Sequence, residues 1–75
     1  MKAIKTKYLG PTNFKGSRVR ATDEDGNSII LSWDHALNSD KNHEAAAQAL
    51  CDKMDWEGRI VGGSLKDCMV WVFVE

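Results

Sequence analysis

The chain contains 75 residues, of which 43% are hydrophobic and 28% are charged. This composition is too apolar for a disordered segment and too charged for a membrane span, and the length allows a single domain over residues 1–75. Ten Lys and Arg against eleven Asp and Glu give a net charge of −1, and the sequence pI is about 6.1. Nucleic-acid-binding domains more often have a pI above about 9, so the overall charge does not favour that class.

The first half of the sequence predicts three short antiparallel strands. Residues 2–9 alternate apolar and basic side chains, as expected for a strand with one face in water. A loop rich in Gly, Pro and Asn separates this segment from a second alternating strand over about residues 17–22. The dipeptide Asp25-Gly26 is a strong hairpin signal, and it leads into a third strand over about residues 28–33.

A change to helical periodicity marks the middle of the chain. From about Asp40 to Met54, apolar side chains recur at helical spacing, which predicts an amphipathic helix. Ser39 is the expected N-cap, and Gly58 is the expected stop. The side predicted to be buried comprises His43, Ala47, Leu50, Cys51 and Met54.

Two further strands are predicted after the helix. Residues 59–61 form a short strand, residues 62–64 and 66–67 are turns, and residues 68–74 form the last strand. The order of elements is therefore β-β-β-α-β-β. We expect an α+β domain in which one helix packs on one face of a small antiparallel sheet of about five strands.

The last strand has no polar face. It divides into one set formed by Met69, Trp71 and Phe73 and another formed by Val70, Val72 and Val74. A strand that is apolar on both sides is usually covered twice, yet only one helix is predicted. Either the twisted sheet covers the second face with its own loops, or a second copy or a partner protein covers it. The set Met69, Trp71 and Phe73 is the candidate apolar anchor for that partner, and the valine set is the alternative if Trp71 is buried under the helix.

Basic residues are concentrated at the N-terminus, where the first 20 residues contain six Lys and Arg and no acid. If the first two strands pair as a hairpin, four of these cations share its solvent face. A basic face of this kind, with an aromatic side chain for stacking, is a candidate nucleic-acid-binding surface. The alternative is that the charges keep an edge hairpin soluble. The candidate nucleic-acid-binding residues are Lys5, Lys7, Phe14, Lys15, Arg18 and Arg20.

Acidic residues gather at the predicted C-terminal end of the helix. Asp52, Asp55 and Glu57 lie where the helix dipole favours cations, and Trp56 lies among them. This set is a candidate acidic surface for a basic partner protein. The alternative is a solvated helix end with Trp56 covering the core.

Signals for catalysis and metal binding are weak. No nucleophile motif surrounds Cys51 or Cys68, and the two His and two Cys lack the spacing of a zinc site. We therefore expect no catalytic residue, no metal, no cofactor and no enzymatic activity. Lysines interrupt the N-terminal segment where a signal peptide would be apolar, so we expect a cytoplasmic protein with reduced thiols and no membrane association.

Residues 1–13, 45–50 and 62–67 resemble segments of short proteins carried by bacteriophages and other mobile elements. In size and β-rich layout, the chain is also similar to small anti-defence proteins, including some anti-CRISPR proteins. That similarity implies binding to a host effector complex, which is blocked without catalysis, and it assigns no role to any residue. We expect a non-enzymatic protein-binding module that recognises a host protein or complex, or a second copy of itself as a homodimer. The alternative is a nucleic-acid-binding module that uses the basic hairpin.

Overall fold

A computed structural model describes residues 2–74 and confirms the α+β architecture. The elements are β1 (Ala3–Leu9), β2 (Arg18–Thr22), β3 (Ser28–Ser32), α1 (Ser39–Met54), β4 (Arg59–Ser64) and β5 (Met69–Val74). The strands form one antiparallel sheet in the order β3-β2-β1-β5-β4. The three-stranded meander β1-β2-β3 before α1 and the β4-β5 hairpin after it are thus joined through β1 and β5.

The core lies between α1 and one face of the sheet. The helix packs over β1, β2 and β3, and the buried side of the helix is the side that its periodicity predicts. Small residues on this side let the helix approach the sheet closely. The buried apolar residues are Ile4, Val19, Ala21, Ala46, Ala47, Leu50, Cys51, Met69 and Trp71.

The predicted helix ends need correction by a few residues. The N-cap is Asn38 rather than Ser39, because the Asn38 side-chain oxygen accepts a hydrogen bond from the backbone N–H of Lys41 at 2.8 Å. At the other end, Asp55 adopts a left-handed conformation with φ of 58°, and it ends the helix before Gly58 is reached. Gly58 instead lies in the connection to β4 with φ of 122°, a conformation that favours glycine.

The prediction that residues 62–64 form a turn is wrong. These residues continue β4, which pairs with β5 from Arg59 opposite Val74 to Ser64 opposite Met69. Gly62 permits this because it lies opposite Trp71, whose indole covers it: a Cβ atom at Gly62 would lie 2.6 Å from Trp71 Cδ2. Glycine therefore marks the close approach of an aromatic ring inside a strand, and not a break in the strand.

Candidate binding surfaces

The sheet has a face opposite α1, which we call the helix-free face, and it carries four cations side by side. As predicted, β1 and β2 pair as a hairpin, and their register places Lys5, Lys7, Arg18 and Arg20 on this face. We call these four residues the basic cluster. Lys7 lies directly opposite Arg20, an arrangement of like charges that destabilises a sheet.

An apolar strip adjoins the basic cluster on the same face. The valine strip consists of Val61 on β4 and Val70, Val72 and Val74 on β5. The three β5 valines are half-buried, and Val61 is 47% exposed. Because Val70 pairs with Lys5, the two surfaces meet at the β1–β5 boundary. The helix-free face is thus basic on β1 and β2 and mainly apolar on β4 and β5, where Arg59 opposite Val74 adds one cation, and none of its strand residues within 2–74 is acidic.

The charges of the basic cluster are not neutralised within residues 2–74. The ion pairs in that part of the chain involve Lys2 and Lys41, and none involves the basic cluster. In addition, Arg18 Nε is shielded from solvent and has no hydrogen-bond partner among these residues. An unsatisfied buried donor costs about 1–3 kcal/mol. The exposed cations of this face therefore have no anionic partner within residues 2–74, whereas the unsatisfied Arg18 Nε is not itself open to solvent.

The β1–β2 loop extends the basic surface beyond the strands. Phe14 at the loop tip is 94% exposed, and Lys15 beside it is also exposed. The loop is ordered by Thr12, whose hydroxyl accepts hydrogen bonds from the backbone N–H groups of Phe14 and Lys15 at 3.3 and 3.0 Å. Phe14 is consequently presented to solvent on a structured turn.

The aromatic face of β5 cannot be the apolar anchor that the sequence suggested. Met69 and Trp71 are only 8% and 5% exposed, because they point towards α1 and form part of the core. Phe73 is half-buried and packs edge-to-face against Trp56 at a ring distance of 6.3 Å. The surplus apolar surface of β5 is instead the valine strip.

A buried polar network holds Trp71 in place. The indole Nε1 of Trp71 donates to Thr6 Oγ1 at 3.0 Å, and Thr6 Oγ1 lies 2.7 Å from His43 Nδ1. The Thr6 hydroxyl accepts from the indole, and it can either donate to His43 Nδ1 or accept from it, depending on the imidazole tautomer. Burial lowers the pKa of His43 below its ordinary value of 6.5, and this favours the neutral imidazole. His43 is thus a packed core residue, as expected.

The predicted acidic surface is divided in the structure. Asp55, Trp56 and Glu57 line a shallow cleft of about 470 Å³ together with Lys2 and Phe73. Asp52 lies apart on α1, where its Oδ1 atom accepts a hydrogen bond from the Gln48 side chain at 3.2 Å. The face of the Trp56 ring is already occupied by a cation, because Lys2 Nζ lies 4.2 Å from the ring centroid.

Lys2 also connects this cleft to the β2–β3 turn. Its Nζ atom lies 3.5 Å from the buried carboxylate of Asp23. That carboxylate accepts hydrogen bonds from the Asn27 side chain and from the backbone N–H groups of Asp25 and Asn27. The Asn27 side-chain hydrogen bond is the main cause that lowers the pKa of Asp23 from 3.8. The acidic turn is therefore an Asp-stabilised hairpin.

Sequence reasoning missed three buried polar residues. The alternation of β1 does not distinguish Thr6 from an exposed residue, and only its position between two apolar residues on the same face indicates that it is buried. Asn42 accepts a hydrogen bond from the Asp34 N–H, and its two amide protons are shared among three carbonyl oxygens, so it anchors the loop before α1. Asp23 could be recognised only from its position at the start of the turn, where an Asp side chain commonly bonds the backbone N–H two residues further on.

The described residues bring together neither a set of metal ligands nor an activated nucleophile. No group of three or more His, Cys, Asp or Glu side chains within residues 2–74 is placed to hold a metal ion. Both cysteines are free, and burial raises the pKa of the Cys51 thiol, which is the opposite of the activation that a nucleophile needs. No helix in this part of the chain is long and apolar enough to cross a membrane.

Comparison of the chain with family models, with curated proteins and with solved structures found no match. The surfaces of the molecule are therefore the basis for proposing its function, and the helix-free face stands out because, among the described residues, it combines unpaired cations with an apolar strip.

Proposed function

We propose that the protein is a non-enzymatic binding module that recognises an acidic protein surface through the helix-free face. The observation that carries this proposal is the union of the basic cluster and the valine strip on one side of the sheet. Carboxylates of a partner would neutralise the cations, and its apolar side chains would cover the valines. The charges would direct encounter and orientation, while the apolar strip would supply contact area.

Two features favour a protein partner over a nucleic acid. The valine strip offers nothing to a phosphate backbone, but it matches an apolar protein patch. The strand residues of the helix-free face also include no aromatic side chain, whereas sheets that bind single strands stack bases on such side chains. The resemblance to phage and mobile-element proteins leads us to propose a cytoplasmic host protein complex as the partner, blocked by occupancy rather than by catalysis.

A display selection tests this proposal. The immobilised protein would be used to select peptides from a random library, and the selected sequences should be rich in Asp and Glu interspersed with Leu, Ile or Val. The variant K7Q/R20Q should lose the acidic enrichment, and V72T should lose the aliphatic enrichment. The control K41Q/K66Q removes two exposed charges outside the face and should select as the wild type does. Selection of basic peptides, or equal selection by K7Q/R20Q, would contradict the proposal.

A nucleic acid is the second candidate, because Phe14 and Lys15 extend the basic cluster with an exposed ring. Fluorescence anisotropy with single-stranded RNA and DNA would test it. If four phosphates are neutralised, affinity should fall about 50-fold between 50 and 200 mM salt, following a slope of about −0.7 per contact. F14A should weaken binding by about 1–3 kcal/mol through lost stacking. Titrations that stay flat at low salt would remove this candidate and leave the protein partner.

A further inference from the structure

β4 is an edge strand whose outer side is unprotected. It ends the sheet order, so β5 satisfies only one side of its backbone. Its six residues contain one charge, at Arg59, no proline, and two consecutive glycines. Edge strands are normally protected by inward charges, proline, bulges or a covering segment. Within residues 2–74, no side chain makes a hydrogen bond to the backbone of β4.

The opposite edge, β3, is protected in part. Lys53 extends from α1 and donates a hydrogen bond to the Ser28 carbonyl at 2.8 Å. Just beyond β3, the backbone N–H of Trp33 donates to the Ser17 carbonyl, which continues the pairing with the β2 side and does not cover the outer edge. Because Lys53 reaches the β3 backbone and no side chain within residues 2–74 reaches that of β4, β4 is the more open of the two edges.

We propose that β4 pairs antiparallel with β4 of a second copy about a two-fold axis perpendicular to the sheet. Directly opposite residues of an antiparallel pair lie on the same face, so a two-fold of this kind places a residue opposite itself. The register we infer has Val61 opposite Val61. Ile60 then lies opposite Gly62 of the second copy, and Arg59 lies opposite Gly63.

The side chains favour this register. Val61 is next to Val72 on the helix-free face, so the two valine strips join into one apolar band. On the other face, Ile60 of one copy comes beside the Trp71 ring that covers Gly62 of the other. No two like charges are directly opposed, since Arg59 faces a glycine.

A second copy fits this edge because, in the inferred register, the side chains of β4 match those of an identical strand and the monomer need not change its conformation. The pairing involves about five residues from each copy, which is less than a standard interface of about 1,600 Å². We therefore expect a weak dimer that forms at high concentration. The dimer goes beyond the proposed function: its contacts lie at the sheet edge, share only Val61 with the valine strip, and leave the basic cluster and the β5 valines uncovered.

Site-specific crosslinking tests the register. In a Cys68→Ser background, V61C should form a disulfide-linked dimer under mild oxidation, because opposed Cα atoms lie about 4.5–5.5 Å apart. R59C alone and G63C alone should not crosslink, because each Cys would be offset from its equivalent by about four residues, or about 14 Å. An equimolar mixture of R59C and G63C should crosslink.

Sedimentation equilibrium provides a second measurement that needs no cysteine. The wild type should show a monomer–dimer equilibrium at concentrations up to about 1 mM, and V61K should raise the dissociation constant at least about tenfold. The matched control is I30K on the protected edge, since Ile30 is 46% exposed and its loss should leave the dimer unchanged. A protein that stays monomeric, or crosslinking that is equal at all three positions, would overturn the proposal. An added peptide that pairs with β4 while the protein alone remains monomeric would assign the edge to a foreign strand instead.

Discussion

Lys7 lies directly opposite Arg20 in the β1–β2 ladder, so two cations face each other on the helix-free face. Their Cβ atoms are about 4.5–5.5 Å apart in such a pair, and like charges at that separation reduce stability. No carboxylate within residues 2–74 pairs with either residue. We interpret this uncompensated repulsion as a requirement of binding. Residues that reduce the stability of a fold are often retained because a binding surface needs them.

Replacing Lys7 with Glu should stabilise the monomer while abolishing recognition of an acidic partner. The new carboxylate would face Arg20, and converting a repulsive pair into an attractive one should raise the free energy of unfolding by about 0.5–1 kcal/mol. Urea denaturation followed by tryptophan fluorescence measures this. K66E, in the exposed β4–β5 turn, is the control for net charge. A less stable K7E protein would show that Lys7 has a structural role.

The Thr6 hydroxyl should be essential for stability. In T6V, the Trp71 indole N–H and His43 Nδ1 would both lose their buried partner, at about 1–3 kcal/mol each. For a domain with an expected stability of about 4–11 kcal/mol, this is a large fraction. T6S keeps the hydroxyl and should lose far less. Equal unfolding midpoints for T6V and T6S in denaturant would contradict the network.

Stability should fall as the pH decreases below 6.5. The pKa of His43 is lowered in the folded state mainly by burial, so the unfolded chain binds a proton that the folded chain resists. The contribution of His43 is thus fully present above pH 6.5 and decreases as the pH falls towards the lowered folded value. The pKa of Asp23 lies below 3.8, so Asp23 does not titrate in this window.

Urea unfolding between pH 5 and 8 would measure the difference between wild type and H43Q, which carries no titrating group at that position. We expect the advantage of the wild type to shrink towards pH 5. An advantage that is constant with pH, or that grows as the pH falls, would show that His43 is not buried in its neutral form.

Gly62 and Gly63 should respond in opposite ways to alanine. A methyl group at Gly62 would overlap the Trp71 ring, so G62A should destabilise the protein by about 1–3 kcal/mol and alter the tryptophan emission. At Gly63 no atom lies within 4 Å of an added Cβ, so G63A should be neutral or slightly stabilising. Thermal unfolding of the two variants compares them directly. Similar melting temperatures would contradict the placement of Trp71 over β4.

The sequence predicted the parts of this fold that depend on local pattern. Alternation in β1 and β2 correctly assigned Lys5 and Arg20 to a solvent face. Each of these strands has one polar and one apolar side, so only the apolar side can face the core. β5 gave no such choice, because both of its sides are apolar. Its orientation depends on the register with β1, which sets Ile4 opposite Trp71 and so turns the aromatic residues towards α1.

Errors at the ends of elements have a similar origin. Asn38 and Ser39 are both good N-caps, and the choice between them depends on which side chain reaches the N–H of Lys41. The sequence pattern around Gly62 predicts a turn. Its place in a strand is explained only by the Trp71 ring, which lies where a Cβ atom of residue 62 would be. In both cases the deciding contact lies outside the local pattern.

The most direct test of the account is an NMR titration of the ¹⁵N-labelled protein with the acidic peptide most enriched in the display selection. We expect amide shifts to change in β1, β2 and β5, around Lys7, Arg20 and Val72, and to stay constant along the exposed side of α1. K7Q/R20Q should abolish these changes, while K41Q/K66Q should preserve them. Shift changes confined to α1 or to the cleft around Trp56 would contradict the assignment of binding to the helix-free face.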